Sequence, residues 1–304
     1  MSMNSHEQWL KERKTYIGGS DLGSIVGVNK YKSALDVYLD KTGDSIEEIT
    51  NEKCYWGNRL ESVVADEYAK RTGNQVVEPI GLIRHSKYPF IACNIDRFVN
   101  GGEYILECKT AGLMMAKEWG EVGTNEIPDS YKCQVAYYAA ITDVPKVDIA
   151  VLIGGQEFRI YTYIRDRDLE NKLIQVAVNF WNNHVLTKTP PEPCNSIDFL
   201  NLYQESNGLE IKADDKLIEN IYQLKSLKEQ ENDIKNKVSG LQDYIKQYMK
   251  DNEVLVDDSG NVFVTWKTGK ARQTLDAKKL QQEHKAIYQQ YLYECKAPRT
   301  FRIK

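Results

Sequence analysis

The stretch Tyr104-Ile105-Leu106-Glu107-Cys108-Lys109 limits what this chain can fold into more than any other segment. Its side chains alternate as a strand's do, so Glu107 and Lys109 share one face while Leu106 and Cys108 share the other. Tyr104, Ile105, Leu106 and Cys108 leave little polar surface. The strand should therefore be buried in a sheet, and its carboxylate then needs a cation or a proton. Eleven residues upstream, Cys93-Asn94-Ile95-Asp96 offers a second carboxylate, and Gly101-Gly102 supplies the turn that folds the Asp96 strand back beside the Glu107 strand. Two carboxylates and a lysine on neighbouring strands are what phosphodiester hydrolysis needs: hard oxygen ligands for Mg²⁺ and a cation near the attacking water. The bland reading is a solvated antiparallel pair with Glu and Lys at i and i+2, which contributes a few tenths of a kcal/mol.

Three further clusters bear on the choice. A helix is expected from about Cys54 to Arg71, closed by Thr72-Gly73-Asn74. On it Glu61 falls inside the apolar stripe of Leu60, Val63, Val64, Ala65 and Tyr68, so it either meets Arg59 or Lys70 or serves as a metal or water ligand. Gln134 is almost the only polar side chain in the apolar helix Ser130 to Ile141, where a buried amide either locks the core or orients an active-site group. Arg13, followed by Gly18-Gly19-Ser20-Asp21, pairs a guanidinium with backbone N–H groups and a hydroxyl before a helix, which reads as an anion site or as an ordinary N-cap.

The remaining order is helices to about residue 75, short strands at Val76–His85, Phe90–Asn94, Ile95–Val99 and Tyr104–Thr110, and a glycine-rich mobile loop with some helix over 111–127 carrying Lys117 and Trp119. The apolar helix, a Gly154-Gly155 hairpin (Val147–Ile153 and Glu157–Ile164) and a helix near Asp168–His184 follow. This is an α/β chain with a mixed sheet covered by helices. Thr189-Pro190-Pro191-Glu192-Pro193 marks a boundary, giving a domain over 1–190 and a C-terminal helical and β-hairpin region over 195–304. From Asp214 to about Lys250 apolar residues recur at three- and four-residue steps (Leu224, Leu227, Ile234, Val238, Leu241, Ile245, Tyr248), interrupted by Glu231, as in a helical arm or packing helix.

Composition excludes several classes. With 304 residues, 41% hydrophobic, 28% charged and a mean hydropathy of −0.55, the chain can bury a sizeable core. No apolar run approaches the ~18 residues of a membrane span, and the Met-Ser-Met-Asn-Ser-His-Glu start lacks signal architecture, so a cytoplasmic protein is expected. The six cysteines (Cys54, Cys93, Cys108, Cys133, Cys194, Cys295) form no C-x-x-C pair, which argues against a zinc site or disulfide framework and for reduced core thiols. A net charge of −4 does not suit a DNA-coating protein, but it suits a nuclease whose basic groups line one groove.

Five blocks in order now carry a resemblance: Trp9-x-x-x-Arg13 with Ile17-Gly18-Gly19-Ser20-Asp21; Trp56-Gly57-Asn58-Arg59-Leu60-Glu61; Ala92-Cys93-Asn94-Ile95-Asp96; Leu106-Glu107-Cys108-Lys109; and Tyr131-x-x-Gln134-Val135-x-Tyr137. Over roughly residues 5 to 185 the chain resembles the YqaJ-like phage recombinases, the group that includes lambda exonuclease, within the PD-(D/E)XK nuclease superfamily. The resemblance implies a restriction-endonuclease-like core and Mg²⁺, with Mn²⁺ as substitute, on Asp96, Glu107 and the Cys108 carbonyl. Glu61 would complete the carboxylate set, Lys109 would activate water, Gln134 would hold the geometry, and Arg13 and Ser20 would grip a DNA 5′-phosphate. It implies double-stranded DNA ends as substrate, a single-strand annealing protein as partner, a homo-oligomeric ring and the cytoplasm of a bacterial host cell. Trp119 or a nearby tyrosine is the expected stacking residue for the terminal base pair. Asn94-Ile95 departs from the small residue and proline common in the family before the Asp. The iron–sulfur branch of the superfamily does not fit, because its clustered C-terminal cysteines are missing. A structure-dependent endonuclease and a non-catalytic recombination scaffold are the rival readings.

Overall fold

A computed structural model describes residues 5–43, 51–294, 297 and 299–304, without the side chains of Ser5 and His6; Met1 to Asn4, read above for a leader, and Cys295 lie outside the described residues. The chain divides into two compact units, Met1–Leu202 and Tyr203–Lys304.

The first unit begins with four helices: α1 (Ser5–Arg13), α2 (Gly19–Ile25), α3 (Ala34–Thr42) and α4 (Glu52–Thr72). Asn51 caps α4 by accepting the Cys54 N–H, and Gly73 closes it at φ +74. The strand expected over Val76–His85 is two short pieces, β1 (Val76–Val77) and β2 (Ile83–Arg84). Pro79 lacks an N–H for a ladder and Gly81 takes φ +79, so the strand breaks there. β3 (Ala92–Cys93) pairs with β2 in a separate ribbon, and β4 starts only at Arg97 (Arg97–Val99). Asn94-Ile95-Asp96 is thus the crossing between two sheets rather than part of a strand.

The main sheet has the order β1-β4-β5-β6-β7, with β5 (Tyr104–Ala111), β6 (Lys146–Ile153) and β7 (Glu157–Ile164). β5 and β6 run parallel and the other pairs antiparallel. Asn100 at φ 48 and Gly101 and Gly102 at positive φ turn β4 into β5, as the glycine pair predicts. Helices cover both faces. α4 lies against Tyr104 and Leu106, where the Tyr68 hydroxyl donates to Asp148 at 2.6 Å and stands 3.2 Å from that of Tyr104. α5 (Asp129–Thr142) lies against Glu107, and α6 (Arg167–Phe180) continues into a π-turn over Trp181–Val185. α2 approaches α5 so closely that a Cβ on Gly19 would sit 2.2 Å from the Tyr138 ring.

Two expectations shift. The 111–127 segment holds the short helical piece expected, a 3₁₀ turn over Leu113–Glu118, but it is not a free loop: it is pinned to β7 by Gly123 N–H to Ile160 O (3.0 Å) and Thr162 N–H to Thr124 O (3.1 Å). The first unit also runs past the prolines, because α7 (Ser196–Leu202) carries buried Asp198, which accepts from Ser33 Oγ at 2.8 Å and from Cys194 N at 3.0 Å.

The second unit holds α8 (Asp215–Met249), the hairpin β8 (Val254–Val256) and β9 (Val262–Thr265), and α9 (Ala277–Glu283) with α10 (Lys285–Gln290). Asp214 caps α8 by accepting the Leu217 N–H at 2.7 Å. Among the described residues no helix is long and apolar enough to cross a membrane.

Candidate active site

β4 and β5 are paired only as far as Arg97 and Leu106; beyond that point they fork. Asp96 stands in the fork, and its Oδ2 accepts the N–H of Cys108 at 2.7 Å. A strand residue's N–H and C=O project to the same edge, so the Cys108 carbonyl faces the fork as well. The thiol points the other way into the core, where burial pushes its pKa up, as burial pushes that of Cys93 up to about 12.

On the α5 face, Glu107 is buried and Oε1 takes two donors: Lys109 Nζ at 2.5 Å and Gln134 Nε2 at 2.7 Å. The other N–H of the Gln134 amide goes to the Tyr138 hydroxyl at 2.8 Å. Glu107 Oε2 is buried and has no partner, the sole such side-chain atom among the described residues. A buried carboxylate oxygen without a partner calls for an explanation, and a place for a bound cation is one. Lys109 is fixed from a second side by the Tyr131 ring, 5.1 Å from Nζ.

The charges strain one another. Burial first and then Glu107 raise the Asp96 pKa well above the carboxylate range. Burial raises that of Glu107, against the pull of Lys109. Burial would depress the Lys109 ammonium, but Glu107 and Asp96 outweigh it and hold it protonated. Two carboxylates that both resist ionisation beside one ammonium form a site whose charge a divalent cation would complete. Hard oxygens suit Mg²⁺, which takes one or two carboxylates and keeps several waters. Among the described residues no group of three His, Cys, Asp or Glu side chains converges, so such a cation would rest on Asp96, Glu107, the Cys108 carbonyl and water. The residues present fit it.

Glu61 reaches this neighbourhood from α4 and raises the pKa values of Asp96 and Glu107 electrostatically, while one of its oxygens is held by Arg97. Its Oε1 accepts from Arg97 NH1 at 2.7 Å, the same nitrogen that donates to the Asp96 carbonyl at 2.6 Å. Arg97 is the residue that sequence reasoning missed. The available signal was its place, directly after Asp96 on a buried strand, opposite an inward glutamate that needed a cation.

Arg13, Ser20, Gly18, Asn94 and Tyr138 line a cavity of about 180 Å³. The Arg13 guanidinium lies 5.5 Å over the Trp9 ring, and Ser20 is exposed. Asp21 borders the cavity too, but its carboxylate is paired rather than left to repel an anion: its Oδ2 accepts from Lys41 Nζ at 2.8 Å and from Gly18 N at 3.0 Å. Tyr138 borders this cavity and bonds Gln134, which bonds Glu107, so one chain of contacts links the pocket to the carboxylates.

Trp119 is a correction. It is only 4% exposed and packs at 5.6 Å from Tyr131 and 5.2 Å from Tyr161, which leaves it no ring face for a base pair. Its pinned loop put it in the core beneath Lys109, where the sequence read as glycine-rich and open.

Residues 8–145 match the YqaJ-like viral recombinase domain. Protein YqaJ of Bacillus subtilis (strain 168) is 34% identical over 310 residues, covering 99% of this chain and 94% of that protein. Protein R354 of Acanthamoeba polyphaga mimivirus is 25% identical over 152 residues, 47% of this chain and 28% of that protein. Among solved structures, the alkaline exonuclease LHK-Exo from Laribacter hongkongensis aligns with a TM-score of 0.49 and 17% identity, covering 60% of this chain and 94% of that one. With a relative 34% identical along nearly its whole length, the chain belongs to the YqaJ-like viral recombinase family.

Proposed function

We propose that this protein is a Mg²⁺-dependent deoxyribonuclease that digests linear duplex DNA 5′ to 3′, leaving 3′ single strands for recombination. The observation that carries the reading is Glu107: a buried carboxylate held on one oxygen by Lys109 and Gln134, its other oxygen unpartnered beside the desolvated Asp96. When bound, a divalent cation would supply charge neutralisation at the scissile phosphate and a lowered pKa for the attacking water.

The chain's own residues do the rest. Asp96 and Glu107, with the Cys108 carbonyl, present oxygens into the fork. Lys109, kept protonated, orients the attacking water and opposes the charge that develops on the phosphate. Gln134 fixes the rotamer of Glu107, and Arg97 holds Glu61 and the Asp96 backbone in register. Arg13 and Ser20 grip the 5′-phosphate in the adjoining cavity, supported by Lys41, which neutralises Asp21. The partners proposed with this reading are DNA ends, an annealing protein and further copies of the chain in a ring.

The test is digestion of linear duplex DNA, 5′-phosphorylated or not, with Mg²⁺ or with EDTA, by the native chain and by Glu107→Ala and Lys109→Ala. Both variants should lose activity by 10²-fold or more, roughly the share of one preorganised charge; undiminished digestion by both refutes the site. A covalently closed supercoiled circle should survive, and rapid nicking of it would replace the exonuclease by an endonuclease.

A further inference from the structure

α8 runs for 35 residues and leaves its apolar stripe uncovered, with Leu241 66% and Tyr248 72% exposed. Solvated apolar surface on this scale marks an interface, and the spacing defines what fits it. Positions 227, 234, 241 and 248 form one row at sevens and 231, 238 and 245 another, a heptad seam of Leu, Ile, Leu and Tyr facing Glu, Val and Ile. A seven-residue repeat is the signature of a second helix lying alongside. At 1.5 Å per residue the seam is roughly 33 Å long.

Glu231, the one charged residue in the seam, selects among pairings. In a parallel pair of identical helices it would meet its own copy, two carboxylates facing each other in an apolar layer, which is costly. Two antiparallel registers mate six of the seven seam positions. One sets Ile234 against Val238 of the partner copy and leaves Glu231 against Leu241, with Lys235 and Lys237 each close to their own copies. The other sets Ile234 against Ile245, Val238 against Leu241 and Glu231 against Tyr248, whose hydroxyl can donate to the carboxylate. There Lys235 flanks Gln242 and Lys237 flanks Tyr244, so no like charges meet. Within its own helix Glu231 already holds Lys235 at 2.5 Å, and Ser239 and Gly240 stand at the centre of the pairing.

We propose that α8 is a homodimerisation element, pairing antiparallel with α8 of a second copy about a two-fold axis between Ser239 and Gly240. Self-complementarity favours a second copy over a foreign helix: each seam residue from 231 to 248, the charged one included, finds a compatible mate in the same sequence. The interface stands independently of the reaction proposed above.

The experiment measures the mass of the native chain by sedimentation or light scattering, alone and after Val238→Glu with Leu241→Glu. The native chain should have an even number of copies, and the variant half that mass with its helical circular dichroism retained. A native monomer overturns the proposal, as it would if the true occupant were a helix of another protein. A native oligomer whose mass the substitutions leave unchanged also overturns it, while leaving a ring through the first unit intact. Should the double variant not fold, Ile234→Cys with Ile245→Cys under mild oxidation decides, with cross-linked peptides mapped by mass spectrometry because Cys54 and Cys194 are exposed. A 234-to-245 linkage between chains is expected; a 234-to-234 linkage from Ile234→Cys alone overturns the antiparallel pairing.

Discussion

Lys41→Met tests the electrostatics beneath the Arg13 cavity. The Lys41 side chain is wholly buried, its ammonium 2.8 Å from Asp21 Oδ2, 3.0 Å from the Arg13 carbonyl and 5.6 Å over the Tyr16 ring. Methionine keeps the volume and removes the charge, leaving Asp21 buried with one weaker cation, Lys32, at 3.6 Å and partly exposed. Breaking a buried pair from one side costs about 3–5 kcal/mol. Lys32 offsets part of this, so about 3 kcal/mol is expected, a fall in Tm of roughly 6–12 °C for a unit of this size.

The pH dependence gives a second, independent reading. Burial alone would raise the Asp21 pKa, but Lys41 and Lys32 outweigh it and hold the carboxyl well below its usual range. A depressed carboxylate contributes stability that is fully present above the unfolded value of about 3.9 and is lost as pH falls through the folded one. Urea unfolding of the native chain should therefore show a steep loss below about pH 4. That loss should flatten in Lys41→Met and in Asp21→Asn. The double variant should recover at least about 1 kcal/mol over Lys41→Met, since it removes the stranded charge. A cost of Lys41→Met below about 1 kcal/mol, or strict additivity in the cycle, would refute the account. With Asp21 unneutralised beside Arg13, any preference for 5′-phosphorylated ends should weaken as well.

Other outcomes follow from the same geometry. Mg²⁺ or Ca²⁺ at a hundredfold excess over its Kd should stabilise the native chain by about 2.7 kcal/mol in a thermal scan against EDTA, and should leave Asp96→Asn and Glu107→Ala unmoved; an equal rise in all three would place the ion elsewhere. Asp96 and Glu107 carry raised pKa values, so their sign is opposite to Asp21: without metal the native state loses stability as pH rises past the unfolded values, and Asp96→Asn should flatten that alkaline side. For the same reason cation affinity should climb with pH as the two protons leave, which titration calorimetry at pH 6 and pH 8 would register. Trp119→Ala should cost about 3–5 kcal/mol as a core truncation, whereas Trp119→Phe should keep both fold and DNA affinity; loss of DNA binding by a folded Trp119→Phe would return that ring to the DNA.

Glu107, Lys109 and Gln134 were legible because each violated its surroundings: a charge or amide amid apolar neighbours at a fixed period needs a partner, and in the fold they found each other. The β4–β5 turn was legible from Gly101-Gly102 for a similar local reason. What the sequence hid was non-local. Arg97 reads as an ordinary strand residue until the sheet places it under α4, and Glu61 has no neighbour in its own helix that announces Arg97 as its mate. Trp119 was misread because glycines at 112, 120 and 123 signal a loop, whereas the hydrogen bonds to β7 that pull the loop inward come from residues forty positions away.

The fork between β4 and β5 explains why the charges sit where they do. Had β4 continued antiparallel beyond Arg97, the Cys108 N–H and C=O would have been spent on the ladder and Asp96 would have pointed along the sheet. Ending the ladder at Arg97 and Leu106 leaves Cys108 with a free edge, and Asp96 fills half of it by accepting the N–H. The carbonyl, facing the same way, is left open to the fork, where the proposed cation would use it. Arg97 then does two jobs from the last paired position: it holds the Asp96 carbonyl, which sets the angle of the fork, and it takes Glu61, which keeps a third carboxylate from crowding the first two. Arg97→Met should therefore impair the site without touching a ligand: Glu61 would be released toward Asp96 and Glu107, and their pKa values would rise further. Such a variant should lose turnover with little change in DNA affinity and shift its pH profile alkaline, with Arg97→Lys restoring part of the shift; an unmoved profile would mean that Arg97 only packs.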